Sequence, residues 1–313
     1  MPDKLEMKFL KQRVDRLHLK QRLGIQRDHA DQIFGQGRTF FHIENWKLGH
    51  GLLKFMLGLS GLRRRARRNA ANIQLRHHDV YIKELPEAFD GFSILHLTDL
   101  HVDLSEQVTN ALIHRIQSLE YDICVLTGDY RAETRGPYKK AISEMARVRK
   151  EINGPVYGVL GNHDFIEMLE PLEAMDIHML LNEATIISRG DARVHIAGVD
   201  DPHFYQVDNL EKAAMHIPPD EISILLSHSP EIYKRAAHSD FNLMLCGHTH
   251  GGQICLPGGT FITTNARCPR HMGRGPWDYH QMRGYTSVGC GSCIVDARIN
   301  CLPEVTLHHL RKG

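Results

Sequence analysis

Short apolar runs, each bounded by polar residues, Gly or Pro, recur along the chain from residue 77 to the C-terminus. Their length and their content of Val, Ile and Leu are typical of buried β-strands. Three longer stretches carry apolar residues at helical spacing and predict helices over 107–119, 138–150 and 165–175. We therefore predict an α/β domain over residues 77–313. The predicted strands are 80–83, 92–98, 123–127, 156–160, 185–188, 194–199, 222–227, 243–246, 285–289 and 305–309.

The first 76 residues show a different pattern. From residue 4 to residue 23, apolar side chains recur at helical spacing with Lys and Arg between them, which predicts a basic amphipathic helix. An apolar run over 46–62 then leads into five arginines within residues 63–68. That run contains Lys47, His50 and Lys54, and it is shorter than the ~20 apolar residues that cross a bilayer. We predict a basic helical arm over residues 1–76.

The charge distribution leaves two interpretations of this arm open. Residues 1–76 hold seventeen basic and six acidic residues, whereas the remainder holds 21 basic and 31 acidic residues. In the first interpretation the arm lies in the membrane interface, with its arginines on anionic phosphates. In the second it packs on the α/β domain and its arginines are solvated. A nucleic-acid partner is not expected.

Cysteine usage and the N-terminus predict the compartment. The seven cysteines are an odd number, and Cys124 and Cys246 lie inside apolar runs, where a buried thiol is the ordinary explanation. Cys290 and Cys293 form a CxxC, but no second pair stands at zinc-ribbon spacing, so no structural zinc is predicted. The N-terminus lacks the apolar core of a secretory signal. We expect a cytoplasmic protein, on the inner face of the membrane if the arm binds lipid.

Residues that bind metal ions follow the predicted strands in order. An Asp and a His two positions apart send their side chains to the same side, so Asp99 and His101 are able to hold one ion. Asp129 has two carboxylate oxygens and is able to bridge two ions. Mixed oxygen and nitrogen ligands favour Mn, Fe or Zn over Ca or Mg, and we favour Mn. The candidate ligands are Asp99, His101, Asp129, Asn162, His228, His248 and His250.

Such a pair of divalent ions predicts phosphoester hydrolysis. Two ions carry +4 against −2 from the two aspartates, so the site attracts an anionic phosphoester. Metal binding lowers the pKa of water from about 15.7 to about 7, which no lone histidine base achieves. His163 follows Asn162 and is the candidate proton donor to the departing oxygen, and Asp164 is expected to orient its ring or to raise its pKa. Arg131 is a candidate phosphate contact, although a solvated arginine is the commoner case.

Each motif is weak by itself in a chain with 22 histidines. We expect His18, His29, His77, His78, His308 and His309 to be packed or surface residues. Together the motifs are specific, since five elements occur in order with Gly at the tight turns.

The blocks "LTDLHVD", "LTGDY", "LGNHD", "LLSHSP" and "CGHTHGGQ" resemble the signature of the calcineurin-like metallophosphoesterases. The resemblance covers the chain from about residue 92 onwards. It implies a four-layer α/β/β/α sandwich with a dinuclear centre at the strand ends. It also implies Asp99, His101, Asp129 and His250 on one ion, and Asp129, Asn162, His228 and His248 on the other. His163 is then the acid, and Asp103 has no ligand role.

Finer features are similar to a bacterial YaeI/YkuE-type phosphodiesterase subgroup, one branch of which cleaves UDP-2,3-diacylglucosamine in lipid A biosynthesis. They are "GVDDPH", the Gly-Gly-Gln after the last histidine pair, and "PEVTLHHL". The chain departs from this subgroup in lacking a clear transmembrane anchor and in a Cys-containing stretch over 255–301. Within it, residues 255–282 are rich in Gly, Pro and Arg and are predicted to form a substrate-facing loop.

Three functions follow from the sequence. We favour a metal-dependent phosphodiesterase or pyrophosphatase that acts on a lipid-linked pyrophosphate at the cytoplasmic membrane face. The second is a soluble phosphodiesterase of broad specificity for nucleotides or small diesters. A non-catalytic protein-binding scaffold is disfavoured, because all seven ligands are present.

Overall fold

Two six-stranded sheets form the centre of the molecule. A computed structural model describes residues 3–31, 51, 58, 59, 61–261 and 263–313. The first sheet has the order β1-β12-β2-β3-β4-β5 and the second β10-β11-β9-β8-β7-β6. The strands are β1 (Gln74–Ile82), β2 (Ser93–Leu97), β3 (Ile123–Leu126), β4 (Val156–Gly158), β5 (Ile177–Met179), β6 (Glu183–Arg189), β7 (Ala192–Gly198), β8 (Ile222–Leu226), β9 (Leu243–Cys246), β10 (Gly275–Tyr279), β11 (Met282–Thr286) and β12 (Glu304–Lys312).

Parallel pairing aligns the ends of the central strands. β2, β3, β4 and β5 run parallel in the first sheet, and β7, β8, β9 and β11 do so in the second. Because the carboxyl ends of parallel strands share one edge, the loops that follow them meet there. The antiparallel partners are β12 with β2, β6 with β7 and β10 with β11.

Helices cover the outer faces of both sheets. The helices are α1 (Lys4–Arg13), α2 (Arg16–Asp31), α3 (Arg63–Ala70), α4 (Glu106–Ile116), α5 (Lys139–Lys150), α6 (Leu169–Glu173), α7 (Leu210–Ala214) and α8 (Tyr233–Ala237). Of these, α3 packs instead against the loop before β12. Ile94 and Val125 of the first sheet pack against Ile224 and Leu245 of the second in a buried apolar cluster. Two further clusters lie between the outer sheet faces and the helices. The predicted four-layer α/β/β/α sandwich is confirmed.

The N-terminal helices pack on the domain. α1 begins at a capping box, in which the Asp3 side chain accepts from the Glu6 backbone N–H and Glu6 accepts from the Asp3 N–H. Leu10, Val14 and Leu19 are buried in the cluster on the outer face of the first sheet. The single helix predicted over 4–23 is therefore two helices, separated between Arg13 and Arg16 and extending to Asp31.

The arginine segment forms α3. Ala66 and Ala70 of this helix are buried, whereas its five arginines are exposed. Most of the apolar run over 46–62 lies outside the described residues. Among the helices that the structure describes, none combines the length and apolar character needed to span a bilayer. Division of the chain at residue 76 stays a prediction, although β1 already begins at Gln74.

Three details differ from the sequence prediction. β1 begins six residues before the predicted start at Val80, because it pairs along its length with β12. The sequence does not predict β5, since three residues carry too little pattern. The predicted loop over 255–282 contains a 3-10 turn, Arg270–Gly273, and β10, whose Trp277 packs in the outer cluster of the second sheet.

Candidate metal centre

The predicted ligands lie in loops that follow the strand ends. Asp99 and His101 follow β2, Asp129 follows β3 and Asn162 follows β4. From the second sheet, His228 follows β8, and His248 and His250 follow β9. The loops are joined by backbone hydrogen bonds, for example from Asp99 N–H to Gly128 O and from His101 N–H to Asp129 O, both 3.0 Å. The structure thus brings all seven side chains to one edge of the sandwich.

Four of these side chains form a first cluster: Asp99, His101, Asp129 and His250. The Nε2 atoms of His101 and His250 lie 3.2 Å apart. His250 Nε2 is 3.3 Å from Asp99 Oδ1, and His101 Nε2 is 3.8 Å from Asp129 Oδ2. Two nitrogens bound to one zinc ion lie at most about 4.2 Å apart, so these spacings fit a shared divalent ion.

The second cluster comprises Asp129, Asn162, His228 and His248. Asn162 Oδ1 is 2.9 Å from both His228 Nε2 and His248 Nδ1. His228 Nε2 lies 3.3 Å from His248 Nδ1 and 3.3 Å from Asp129 Oδ2. Asp129 therefore belongs to both clusters through the same carboxylate, as expected of a bridging ligand.

Glycine is required for this close approach. A Cβ atom on Gly161 would lie 2.6 Å from the backbone N of Asp129 and would also clash with Asp129 Oδ1. A Cβ on Gly247 would clash with Asp99 Oδ2 and Thr98 Oγ1. The turns that carry the ligands consequently pack backbone against backbone.

The backbone of the ligands themselves is strained. Left-handed φ values cost an L-residue about 1–2 kcal/mol, and such strain concentrates at functional sites. The surrounding fold therefore imposes these conformations. They are found at five of the seven ligands: Asp99 (φ 50°), His101 (φ 42°), Asp129 (φ 58°), His248 (φ 70°) and His250 (φ 49°).

Backbone carbonyls fix which ring nitrogen of three histidines faces the centre. The Nδ1–H groups of His101 and His228 donate to Arg131 O and Thr127 O, each at 2.7 Å. His248 has the opposite arrangement, because its Nε2–H donates to Asn265 O at 3.1 Å. In the neutral rings the other nitrogen keeps its lone pair toward the cluster, as metal-binding histidines do. This donor set fits divalent metal ions.

The electrostatics of the buried site favour positive charge beside Asp129. Burial opposes a charged ring at His228, but the neighbouring Asp129 carboxylate outweighs it and raises the pKa of His228 to about 10. Burial likewise opposes ionisation of Asp129, yet His163 and His228 hold its pKa well below the usual range. Burial and the proximity of His163 lower the pKa of His101 to about 4, so that ring is neutral at pH 7. The shared carboxylate thus attracts cations.

His163 lies beside the clusters. Its Nε2 atom is 3.7 Å from Asp129 Oδ2, and its Nδ1–H donates to Ala132 O at 2.8 Å. The Ala132 carbonyl therefore holds the ring with Nε2 toward the centre. His163 also groups with His101 and Asp129, since their ligand atoms lie within 4.8 Å of one another. Its role as the acid stays a prediction.

Asp164 has a different contact from the one expected. The sequence suggests that it orients the His163 ring, but its carboxylate accepts backbone N–H groups from Asp129 and Gly161 at 2.8 Å and from Tyr130 at 2.9 Å. Burial and the Asp129 charge raise its pKa to about 6. Asp164 thus joins the turn after β3 to the turn after β4, and its influence on His163 is through the backbone.

Arg131 is buried rather than solvated. Its guanidinium carbon lies 4.2 Å from the centroid of the Phe165 ring, and one nitrogen donates to Arg135 O. Its Nε and Nη1 atoms are buried and have no hydrogen-bond partner within the part of the chain that the structure describes. Burial lowers the pKa of Arg131 from its usual value. Its contact with substrate phosphate stays a prediction.

The sequence prediction missed Arg22 and Cys293. Arg22 of α2 is fully buried, and its Nη2 donates to Asp164 O at 2.8 Å. Nothing in the sequence near Arg22 indicates this contact, because the two residues are 142 positions apart. Cys293 Sγ lies 3.9 Å from His163 Nε2. The CxxC motif that contains Cys293 was the one sequence feature that pointed to it as a candidate metal ligand.

Comparison with known proteins identifies the class. The family model "Calcineurin-like phosphoesterase" matches residues 92–252, which is half of the chain. The chain therefore belongs to the calcineurin-like phosphoesterase family, a class of metal-dependent phosphoester hydrolases.

Several curated proteins are similar to this chain in sequence. The chain is 28% identical over 254 residues to the uncharacterized metallophosphoesterase YkoQ of Bacillus subtilis, covering 79% of this chain and 93% of that protein. It is 29% identical over 249 residues to the phosphodiesterase YaeI of Escherichia coli, covering 75% and 87%. A transmembrane protein with metallophosphoesterase domain from Bos taurus is 30% identical over 198 residues, covering 56% of this chain and 44% of that protein.

Proposed function

We propose that this site hydrolyses a phosphodiester or pyrophosphate P–O bond with two divalent metal ions, with Mn favoured over Fe and Zn. The observation that carries the proposal is the convergence of seven side chains into two clusters that share Asp129. Asp99, His101, Asp129 and His250 would hold one ion. Asp129, Asn162, His228 and His248 would hold the other. Bound divalent ions activate water at neutral pH and neutralise charge on the phosphorus oxygens.

The protein's own contribution is to position a proton donor. The Ala132 carbonyl fixes the Nδ1 side of the His163 ring, so a proton on Nε2 points into the centre. The His163 Nε2 atom lies 3.7 Å from Asp129 Oδ2, at the edge of the two clusters. His163 is then able to protonate the departing oxygen, which matters most when that oxygen is strongly basic. Arg131 would contact the phosphate through its unpartnered nitrogens.

Asp129→Asn tests the proposal. We expect loss of metal-stimulated hydrolysis, because a neutral amide supplies one oxygen ligand in place of a charged bridging carboxylate. Asp103→Asn is the matched control, since Asp103 lies outside both clusters and accepts the Ala132 N–H at 2.7 Å. Hydrolysis of bis(p-nitrophenyl) phosphate and bound metal are measured together. Full turnover in Asp129→Asn would refute the dinuclear mechanism.

For the substrate, we propose a lipid-linked pyrophosphate, such as UDP-2,3-diacylglucosamine, reached at the cytoplasmic membrane face. The support is α3, which presents five exposed arginines and is tied to the metal centre. The Arg298 N–H donates to Ala66 O of α3 at 3.0 Å, and the Arg298 guanidinium donates to His250 O at 3.0 Å. A cavity of about 480 Å³ borders Arg63 and Arg67. Anionic headgroups at α3 would therefore lie near the centre.

The proposed binding of α3 to the membrane is tested with charge variants rather than with a truncation. Removing residues 1–76 would also remove Leu10, Val14 and Leu19 from the core. The triple variant Arg64→Gln, Arg65→Gln, Arg68→Gln keeps α3 and its buried alanines. We expect weaker flotation with anionic liposomes than for a control with equal charge loss at exposed Lys83, Arg193 and Lys234. Equal flotation of both variants and the wild type would remove the membrane proposal.

A soluble phosphodiesterase of broad specificity is the second candidate. It is supported by the relative named phosphodiesterase YaeI, which this chain matches over 87% of that protein's length. A substrate panel separates the candidates. Preference for UDP-2,3-diacylglucosamine over cyclic nucleotides and bis(p-nitrophenyl) phosphate supports the lipid-linked substrate, and the reverse order supports the second candidate.

A further inference from the structure

Cys293 lies at the edge of the first ligand cluster. It is buried, in the loop "CGSC" between β11 and β12. Its Sγ atom and ligand atoms of His101 and His250 all lie within 4.8 Å of one another. Bonds of a zinc ion to a thiolate and to an imidazole are about 2.3 and 2.1 Å long, so atoms that share the ion are at most about 4.4 Å apart. A shift of a few tenths of an ångström therefore brings the sulfur into the coordination sphere.

We propose that Cys293 is an additional, thiolate ligand of the metal ion held by Asp99, His101, Asp129 and His250. This inference rests on the proposed dinuclear centre. It adds a sulfur donor to a set that the sequence indicates to be purely oxygen and nitrogen.

Several contacts fix the backbone of the loop that carries the sulfur. The Gln253 side chain exchanges two hydrogen bonds with the Cys293 backbone: Oε1 accepts the N–H at 2.7 Å and Nε2 donates to the carbonyl at 2.8 Å. The buried Arg298 guanidinium donates to Gly291 O at 3.1 Å and to Val288 O at 2.7 Å. The Gly291 N–H donates to Asp99 O at 2.9 Å, which ties the loop to a ligand. Cys293 is thus held against the cluster from both sides.

The neighbouring Cys290 shows the contrast. Its side chain is buried in the apolar cluster on the outer face of the first sheet, and its N–H donates to Thr98 O at 2.9 Å. No metal-binding group of the described residues includes Cys290. The two cysteines of the CxxC thus face different environments, and only Cys293 reaches the centre.

A sulfur ligand changes the expected metal preference. Thiolate favours soft ions such as Zn²⁺, Cd²⁺ and Co²⁺ over Mn²⁺, which prefers carboxylate and water oxygens. The two positions would therefore differ, with the softer ion beside Cys293. Cys293 would then be the residue that makes the two metal ions differ.

Cobalt spectroscopy tests this inference without measuring turnover. The full chain and its Cys293→Ser and Cys290→Ser variants are titrated with Co²⁺, and the near-ultraviolet thiolate-to-cobalt charge-transfer band is recorded. We expect the band in the wild type and in Cys290→Ser, and its loss in Cys293→Ser. Zinc X-ray absorption of the wild type supplies a measurement that needs no variant, with one sulfur at about 2.3 Å as the expected result.

The outcomes are separable from those of the proposed function. Absence of the band and of the zinc–sulfur distance in the wild type overturns the thiolate ligand, as does a band that persists in Cys293→Ser. Metal-dependent hydrolysis in such a protein would leave the proposed function standing. The band without hydrolysis of any phosphoester would support the ligand and refute the function.

Discussion

Gln253 and Cys293 are joined by a reciprocal pair of hydrogen bonds, in which the side-chain amide of one binds both backbone polar groups of the other. Gln253 follows the turn that carries His248 and His250, whereas Cys293 belongs to the loop after β11. The pair therefore couples a ligand-bearing turn to the loop that brings sulfur to the centre. Gln253 is a positioning residue, since it contacts neither cluster through these bonds.

Gln253→Glu removes the donor of this pair. A carboxylate repels the Cys293 carbonyl that Nε2 now binds at 2.8 Å, so the loop is expected to move away from the cluster. We predict a loss of metal affinity of about 10- to 100-fold, the range found when an outer partner of a metal ligand is removed. Competition with a chromophoric chelator measures it, with the exposed Gln117→Glu as control. Unchanged affinity would mean that the pair does not position the loop.

The convergence of the seven candidate ligands could be predicted from sequence because each of them follows an apolar run. Asp99 and His101 show the i, i+2 spacing that places two side chains on one side, and His248 and His250 repeat it. Cys293 could not be assigned in this way, because its position depends on Gln253 and Arg298, which hold the loop from distant parts of the chain. Tertiary contacts of that kind leave no local pattern.

The same limit applies to the fold. The runs that form β2, β3, β8 and β9 are mainly apolar and without interruption by Gly or Pro, so their predicted bounds are close to the observed ones. β10 carries Gly275 and Pro276 and resembles a loop in sequence, yet antiparallel pairing with β11 and burial of Trp277 make it a strand. The sequence pairs Asp164 with the His163 ring, whereas its carboxylate accepts hydrogen bonds from three backbone N–H groups.

His163→Ala is expected to slow hydrolysis most for poor leaving groups. Loss of a general acid costs about 10²- to 10⁴-fold, and the loss falls as the departing oxygen becomes less basic. A series of aryl phosphodiesters, plotted as log kcat against leaving-group pKa, gives the slope for each protein. Because His163 also groups with His101 and Asp129, bound metal must be measured beside turnover. Uniform slowing accompanied by metal loss would identify His163 as a ligand instead.

Arg22→Ala, a substitution in α2, is expected to lower the free energy of unfolding of the domain. The buried Arg22 Nε lies 3.6 Å from Asp200 Oδ2, and the guanidinium stacks on the Tyr205 ring at 3.2 Å. Burial raises the pKa of Asp200, but Arg22 and His18 outweigh it and hold the pKa below the usual value. Removing Arg22 takes one partner from the buried Asp200 carboxylate, whose Oδ2 also lies 2.8 Å from His18 Nε2, so the expected cost is at most the roughly 3–5 kcal/mol of a fully broken buried pair.

Urea denaturation of Arg22→Ala measures this free energy of unfolding. Lys20→Ala, an exposed position on the same helix, is the control. Asp200→Asn in the Arg22→Ala background removes the stranded charge and is expected to restore part of the loss. Equal stability of Arg22→Ala and Lys20→Ala would show that the α2 contact with the centre is dispensable.

His308 and His96 lie outside the two clusters and give the domain a further sensitivity to acid. Both rings are buried, and His308 Nε2 lies 3.4 Å from His96 Nδ1. Burial lowers the pKa of His96 to about 3, and burial and the neighbouring His96 hold the pKa of His308 well below its usual value. The unfolded rings, with a pKa of about 6.5, bind protons as the pH falls below that value, whereas the folded rings do not. The contribution of these two rings to the free energy of unfolding is therefore fully present above pH 6.5 and decreases as the pH falls below that value.

A buried ring that stays neutral in the folded protein, against an unfolded pKa of about 6.5, loses about 2 kcal/mol of its stabilisation at pH 5. In His308→Gln, the loss of unfolding free energy between pH 7 and pH 5 should be smaller than in the wild type by about that amount. Urea denaturation at the two pH values measures it, and His216→Gln is the matched substitution at an exposed ring. Subtracting the wild-type change removes the titration of the metal ligands, which both proteins share. Identical pH dependence in His308→Gln and the wild type would show that His308 is protonated in the folded state.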